Sequence, residues 1–254
     1  TFLNETEKRY GRKHVRAMFV PSKTTALTNV LPAYADTIDW QFMIRDLQTK
    51  VDEPNLIYDL TKTMQLHNEE YIYYRTDHHW TTLGAYYAYT EFCKAKGITP
   101  ESLDAYSKKQ DFDGFLGSFY NDTSDAKLKA NPDTVTAYYP NAESICHVTA
   151  SDGKKYDWPV IYDVSNYNAG LKYSTFIASD NPYTEIENKD LSDGSSCIVV
   201  KESFGNAFIP FLVDHYQTVY VVDYRYWTGS ISKLAQDKNC LLYTSPSPRD
   251  RSLS

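Results

Sequence analysis

Two short blocks carry residue types that can work together as a chemical relay. One is Asp77-His78-His79-Trp80, and the other runs from Val199 through Lys201, Glu202, Ser203 and Gly205 to Asn206. A serine hydroxyl is unreactive near neutral pH and needs a base. A histidine supplies one, and a carboxylate fixes the histidine's tautomer and stabilises the imidazolium. Asp-x-His places Asp77 and His79 on one face of an extended loop, within reach of a shared hydrogen bond, while His78 points the other way. Ser203 reads as the tip of a strand and the start of a helix, where backbone N–H groups favour negative charge developing on a substrate oxygen. Gly205 lets a backbone approach closely. Each residue also has a plainer reading: Ser203 and Asp77 as helix caps, His79 as a surface histidine, Trp80 as core. His14, His67, His147 and His215 have no partner pattern.

The elements that must position these residues follow from periodicity and punctuation. Strands are expected at 14–20, 55–59, 71–74, 195–201 and 218–223, and helices at 34–50, 81–96 and 203–213. Thr81 can cap the second helix, Lys94 and Lys96 suit its C-terminal end, and Gly97 stops it. Residues 112–180 differ in texture, with short β-like runs at 134–139, 144–150, 158–162 and 172–178 between Gly, Asn, Asp and Pro. They read as a β-rich insertion. Strands alternating with helices at both ends imply an α/β domain over 1–239, a mostly parallel three-layer sheet with that insertion. In such sheets chemistry sits at the carboxyl ends of strands, where both polar blocks fall.

Composition narrows the class. The chain has 254 residues and a net charge of −7, which with no long basic stretch argues against a nucleic-acid binder. No apolar run is long enough to span a membrane. Tyrosine is unusually frequent, at 23 residues, and suits either half-buried sheet positions or stacking on sugars. Cys93, Cys146 and Cys197 match no zinc or redox spacing and read as buried thiols. The chain opens on Thr1 in what reads as the end of a helix, so upstream sequence, including any targeting or anchoring segment, is expected to be missing. Residues 240–254, CLLYTSPSPRDRSLS, resemble translated adaptor read-through and are set aside from the expected fold.

The string TDHHWTTLGAYYAYTEFCKAKGI, followed downstream by VVKESFGNAFIPFL, resembles the DHHW protein family. That family is similar to the alginate O-acetyltransferase group within the SGNH-hydrolase superfamily, and the resemblance covers most of 14–227. It implies a Ser-His-Asp triad in which Asp and His precede Ser: Ser203 as nucleophile, His79 as base and Asp77 as its orienting partner. Glu202 departs from the pattern, which carries Asp there. Asn206 and Asn181 are the oxyanion candidates, and Arg225 is a substrate candidate whose plainer role is an ion pair with Asp223 or Glu202. His78 and Trp80 would support the site from behind.

The expected chemistry is acyl transfer from an acetyl donor to a polysaccharide hydroxyl, or to water, with no cofactor and no metal. The resemblance also implies an extracellular or cell-envelope setting, with a membrane acyltransferase as a candidate partner and the Tyr-rich insertion as a candidate glycan surface. Two rivals stand beside it. A metal-dependent phosphoesterase can also carry a DHH signature, but needs further Asp/His clusters, and the upstream aspartates, Asp46, Asp52 and Asp59 among them, are scattered and without partner histidines. A non-catalytic glycan-binding or surface-assembly protein could retain the motifs without activity.

Overall fold

The computed structural model describes residues 2–11, 15–32, 34–35, 39–238 and 240–245. His14 at the expected start of the first strand, Ile38 in the expected helix over 34–50, and residues 246–254 lie outside the described residues. The described strands are β1 (Val15–Phe19), β2 (Ile57–Asp59), β3 (Lys109–Phe115), β4 (Asp133–Tyr138), β5 (Ser144–Thr149), β6 (Lys155–Trp158), β7 (Tyr183–Asn188), β8 (Ser196–Lys201), β9 (Thr218–Asp223) and β10 (Leu241–Ser245). Eight of them form one sheet in the order β2-β1-β10-β8-β9-β7-β5-β6, and β3 and β4 form a separate hairpin.

The sheet is mixed. β2, β1, β10, β8 and β9 are mutually parallel, while the pairs β9–β7, β7–β5 and β5–β6 are antiparallel. The expectation of a mostly parallel sheet is corrected accordingly. Periodicity reveals a strand but not the direction of its neighbour, and the strands of 144–188 extend the main sheet rather than forming a body of their own. Residues 241–245, set aside in the sequence, lie between β1 and β8 and pair with both.

The two halves bury their strands differently. In β8 and β9 nearly every position is buried, because helices lie on both faces. Cys197, Val199, Val219 and Val221 pack with Phe92 of helix Thr82–Lys96 and with Phe208 and Phe211. Ile198, Val200 and Val222 face Ala235 of helix Ile231–Asp237 on the other side. In the antiparallel half one face stays in water: Cys146, Val148 and Ile186 point inward, while His147 and Glu187 are exposed. Helix Thr82–Lys96 starts and stops where its residues dictate. Thr81 accepts from the Gly84 N–H, and Gly97 closes the helix in the left-handed region at φ 69°.

Four expected elements take other forms. Of 158–162 only Trp158 lies in a strand, Lys155–Trp158, with one isolated bridge from Ile161 to Phe176. Residues 71–74 make only a single bridge, Tyr73 to Trp80. The run at 172–178 is a 3-10 helix, Ala169–Thr175, followed by a turn in which Ile177, Ala178 and Ser179 all have positive φ. The helix expected over 203–213 is α-helical over Gly205–Phe208 and 3-10 over Ile209–His215, since Pro210 has no N–H to continue the ladder.

Candidate active site

The Asp77–His79 loop is irregular but tied from several sides. Asp133, at the start of β4, is buried and accepts from the Arg75 N–H at 3.1 Å, the Thr76 N–H at 2.7 Å and the Thr76 hydroxyl at 2.6 Å, as well as from the Tyr71 hydroxyl. Burial pushes the Asp133 carboxyl above its ordinary value, against the pull of those N–H donors. On the other side, the Thr76 carbonyl accepts from the N–H groups of Phe119 and Tyr120, and Asp77 accepts from the Ser118 N–H at 2.7 Å. Gly117 makes that approach possible: a Cβ there would stand 2.2 Å from Asp77 Oδ2.

Within this frame the three expected residues form one hydrogen-bonded chain. Asp77 Oδ1 lies 2.6 Å from His79 Nδ1, and His79 Nε2 lies 2.7 Å from Ser203 Oγ. The same carboxylate oxygen accepts from the His79 backbone N–H at 2.8 Å, which fixes the carboxylate relative to the ring. Burial opposes ionisation of Asp77. The hydrogen bond and charge of His79, then His78 and the Ser118 N–H, outweigh it and hold the carboxyl well below the usual range. An ionised Asp77 accepts from Nδ1–H, leaving Nε2 as the acceptor toward the serine.

Ser203 follows β8 by two residues. Its hydroxyl has a second neighbour, Glu202 Oε2 at 3.3 Å, but a single proton serves one acceptor, and His79 at 2.7 Å is the better placed. Glu202 also accepts from the Phe204 N–H at 3.0 Å, so the carboxylate that departs from the family pattern shapes the serine turn. The Trp80 indole donates to the Phe204 carbonyl at 3.0 Å and ties the two blocks together. Gly205 is needed because a Cβ there would stand 2.6 Å from Lys201 Cβ.

The histidine is walled by rings. Tyr173 stacks on His79 at 4.3 Å between centroids, and its hydroxyl donates to the Ser203 carbonyl at 3.1 Å. Burial raises its phenol well above the ordinary value, so it stays a donor. His78 does not point away as expected: it lies against His79, 3.8 Å between centroids, with Nδ1 2.7 Å from the Ser118 hydroxyl and 3.6 Å from Asp77 Oδ2.

The remaining candidates belong to a neighbouring network. Asn206 is buried and donates to Asp180 Oδ1 at 2.9 Å. Asp180 also meets the fully buried Lys201 at 3.0 Å and Arg225 at 3.0 Å, and Asp223 meets Lys201 at 3.0 Å and Arg225 at 2.6 Å. Arg225 thus takes its plainer role, an ion pair, with Asp223 and Asp180. Asn181 donates to the Ala178 carbonyl of its own turn at 2.8 Å rather than toward Ser203. Sequence reasoning misses Ser118, Asp133 and Asp180, which come from loops and element ends with no periodic signal, and Tyr173, whose β-like run at 172–178 gives no hint that its ring meets His79.

Among the described residues, one group could offer a metal three ligands: Asp77, His78 and His79, with one ligand atom each within 4.8 Å of one another. Both ring nitrogens of His79 already serve Asp77 and Ser203, so a metal bound through His79 would compete with the hydrogen-bonded chain.

A mixed α/β sheet thus carries an Asp-His-Ser chain at the carboxyl rim of its parallel half. The chain belongs to the DHHW protein family, whose sequence model matches residues 25–222. It is similar to the crystal structure of a DHHW family protein from Eubacterium siraeum, with 28% identity, TM-score 0.81, and 97% of this chain and 81% of that one covered. It is also similar in fold to Bacillus cereus PatB1, with 23% identity, TM-score 0.76 and coverage of 96% and 86%. The same PatB1 with a sulfonyl adduct matches with 21% identity, TM-score 0.75 and the same coverage. No curated protein sequence matches the chain.

Proposed function

We propose that the chain is a serine-dependent acyltransferase or esterase that moves an acetyl group onto, or off, a hydroxyl of an extracellular or cell-envelope polysaccharide. The observation that carries this reading is the unbroken Asp77–His79–Ser203 chain, with links of 2.6 and 2.7 Å. Ser203 gives its proton to His79 Nε2 as its oxygen attacks the acyl carbonyl. The tetrahedral adduct collapses, the donor's oxygen leaves with that proton, and an acyl-Ser203 ester remains. The acceptor hydroxyl then gives its proton to His79 and attacks the ester, and Ser203 departs by taking the proton back. Asp77 stays ionised throughout and stabilises the imidazolium.

The oxyanion is assigned to the Ser203 backbone N–H and to the second amide hydrogen of Asn206, which Asp180 holds by the first. Family resemblance supports an acetyl donor supplied by a membrane acyltransferase, and neither donor nor acceptor requires a cofactor. The PatB1 structure with a sulfonyl adduct supports a sulfonyl fluoride as the probe. The reagent should label wild type at Ser203, and Ser203→Ala should lose labelling together with turnover of an acetyl ester by about 10⁴-fold or more. Full turnover by Ser203→Ala would refute the assignment.

A further inference from the structure

The register of the sheet brings a second surface to the same rim as Ser203. Lys201 at the end of β8 pairs with Asp223, Val222 beside it pairs with Tyr183, Tyr183 with Thr149, and Thr149 with Lys155. The start of the edge strand β6 therefore stands level with the end of β8, four strands away, or about 19 Å at ~4.8 Å per strand. Tyr156 and Trp158 share the inward face of β6 with Cys146 and Val148 of β5, the face on which His79 and Ser203 also sit. At that edge the aromatic side chains line an open groove of about 220 Å³ with Tyr162, Tyr167, Ser174 and the Ala178–Ser179 turn.

The groove has a chemistry. Trp158 and Tyr162 lie against one another, 4.5 Å apart at 33°, and Tyr167 stands 5.8 Å from Tyr162, so the pair offers its outer faces beside the exposed rings of Tyr156 and Tyr167. Tyr156 and Tyr167 are each 39% exposed, although burying such rings is strongly favourable. Tyrosine and serine hydroxyls surround the faces, and among the described lining residues none is charged. The volume is below the ~300–1,000 Å³ of pockets that enclose a drug-sized ligand, and suits a single ring. Electron-rich faces flanked by neutral hydroxyls fit the axial C–H faces and equatorial hydroxyls of a pyranose, and give no counter-charge to a uronate or phosphate.

One chain segment links the groove with the site already described. Ser174 lines it, and the adjacent Tyr173 stacks on His79. Ala178 and Ser179 close its inner end, and the next residue, Asp180, holds Asn206. One segment, 173–180, thus walls both places. Its three consecutive positive-φ residues include Ile177, a β-branched side chain for which that conformation is costly.

We propose that this groove is a subsite for an uncharged pyranose chain, holding one ring of an acceptor oligosaccharide a few linked rings from Ser203. As an acceptor subsite it rests on the acyl-transfer reading, but its occupancy can be tested without catalysis. The full chain carrying Ser203→Ala is titrated with cellotetraose, chitotetraose and mannotetraose, read by tryptophan emission and by calorimetry. At least one should bind saturably, with Trp158→Ala and Tyr167→Ala each weakening it about tenfold or more. Phe42→Ala, an exposed aromatic elsewhere, should leave it unchanged. Tyr167 lies on an exposed turn, so its variant keeps the test valid if Trp158→Ala fails to fold. No saturable binding of any of the three, or binding indifferent to both groove variants, overturns the proposal. A separate assay with 4-nitrophenyl acetate isolates the catalytic reading. Sugar binding without ester turnover by wild type would fail that reading and leave the groove standing as a binding site.

Discussion

Two polar networks sit side by side at the rim of the sheet, and they differ in how they end. The Asp77–His79 chain terminates on the Ser203 hydroxyl, a group with one proton to give. The neighbouring network closes on itself: Lys201 and Arg225 each meet both Asp180 and Asp223. A closed set of two cations and two anions has little to transfer and a large cost if opened. An open chain with a weak terminal donor is arranged for proton movement. Similar residue types and distances thus mark chemistry in one case and structure in the other, and the terminus decides which.

The comparison can be broken at either network. Asp77→Asn keeps the shape of the open chain but reverses the preferred histidine tautomer, so acetyl-ester turnover should fall by about 10⁴-fold at temperatures where the variant is still fully folded. Parallel rate and melting measurements check this, and a variant that keeps near-wild-type rates would remove Asp77 from the relay. Lys201→Met removes the fully buried cation of the closed network and leaves two carboxylates to share Arg225, at an expected cost of about 3–5 kcal/mol in a denaturant titration. A neutral result there would mean that the cluster is replaceable by packing alone.

Acid gives the smallest and most discriminating difference. Burial works against ionisation of Asp180, yet Lys201, then Asn206 and Arg225, bring its carboxyl down to about 2. A folded value below the ordinary carboxylate value of ~3.9 stabilises the fold fully above about pH 4, and the gain is lost as pH falls toward the folded value. The contribution is ~2 kcal/mol at neutral pH. The melting-temperature gap between wild type and Asp180→Asn should be constant from neutral pH to about pH 5 and shrink below that. A gap that grows on acidification would contradict the assignment.

Much of this arrangement was legible in the residues. The continuous apolar runs of β8 and β9 placed Ser203 at the rim, and the capped helix over 82–96 follows its end signals, whereas the Asp-x-His pair reaches that rim on a tied loop and not after the strand expected at 71–74. The mixed sheet was harder. Tyr183–Asn188 alternates in the manner of a strand with one wet face, but the pattern is short, and alternation does not name a partner. Residues 172–178 alternate too, yet fold as a 3-10 helix and a left-handed turn: a strand would put Tyr173 and Phe176 on opposite faces, whereas the 3-10 turn brings both into the core, 5.3 Å apart. Tyr173 and Ser118 reach the site through tertiary contact alone, so no local pattern announces them.

The ties on the 75–79 loop bear on where its conformational entropy is lost. A stretch without helix or strand would ordinarily be the first to fluctuate, and ordering it anew for each substrate would weaken binding. Here its backbone amides and carbonyls, and those of 117–120, are fastened to one another and to Asp133. The loss is met once, when the chain folds. Slow amide exchange at Thr76 and Ser118, in residues that any count of regular structure would class as loop, is the signature to look for.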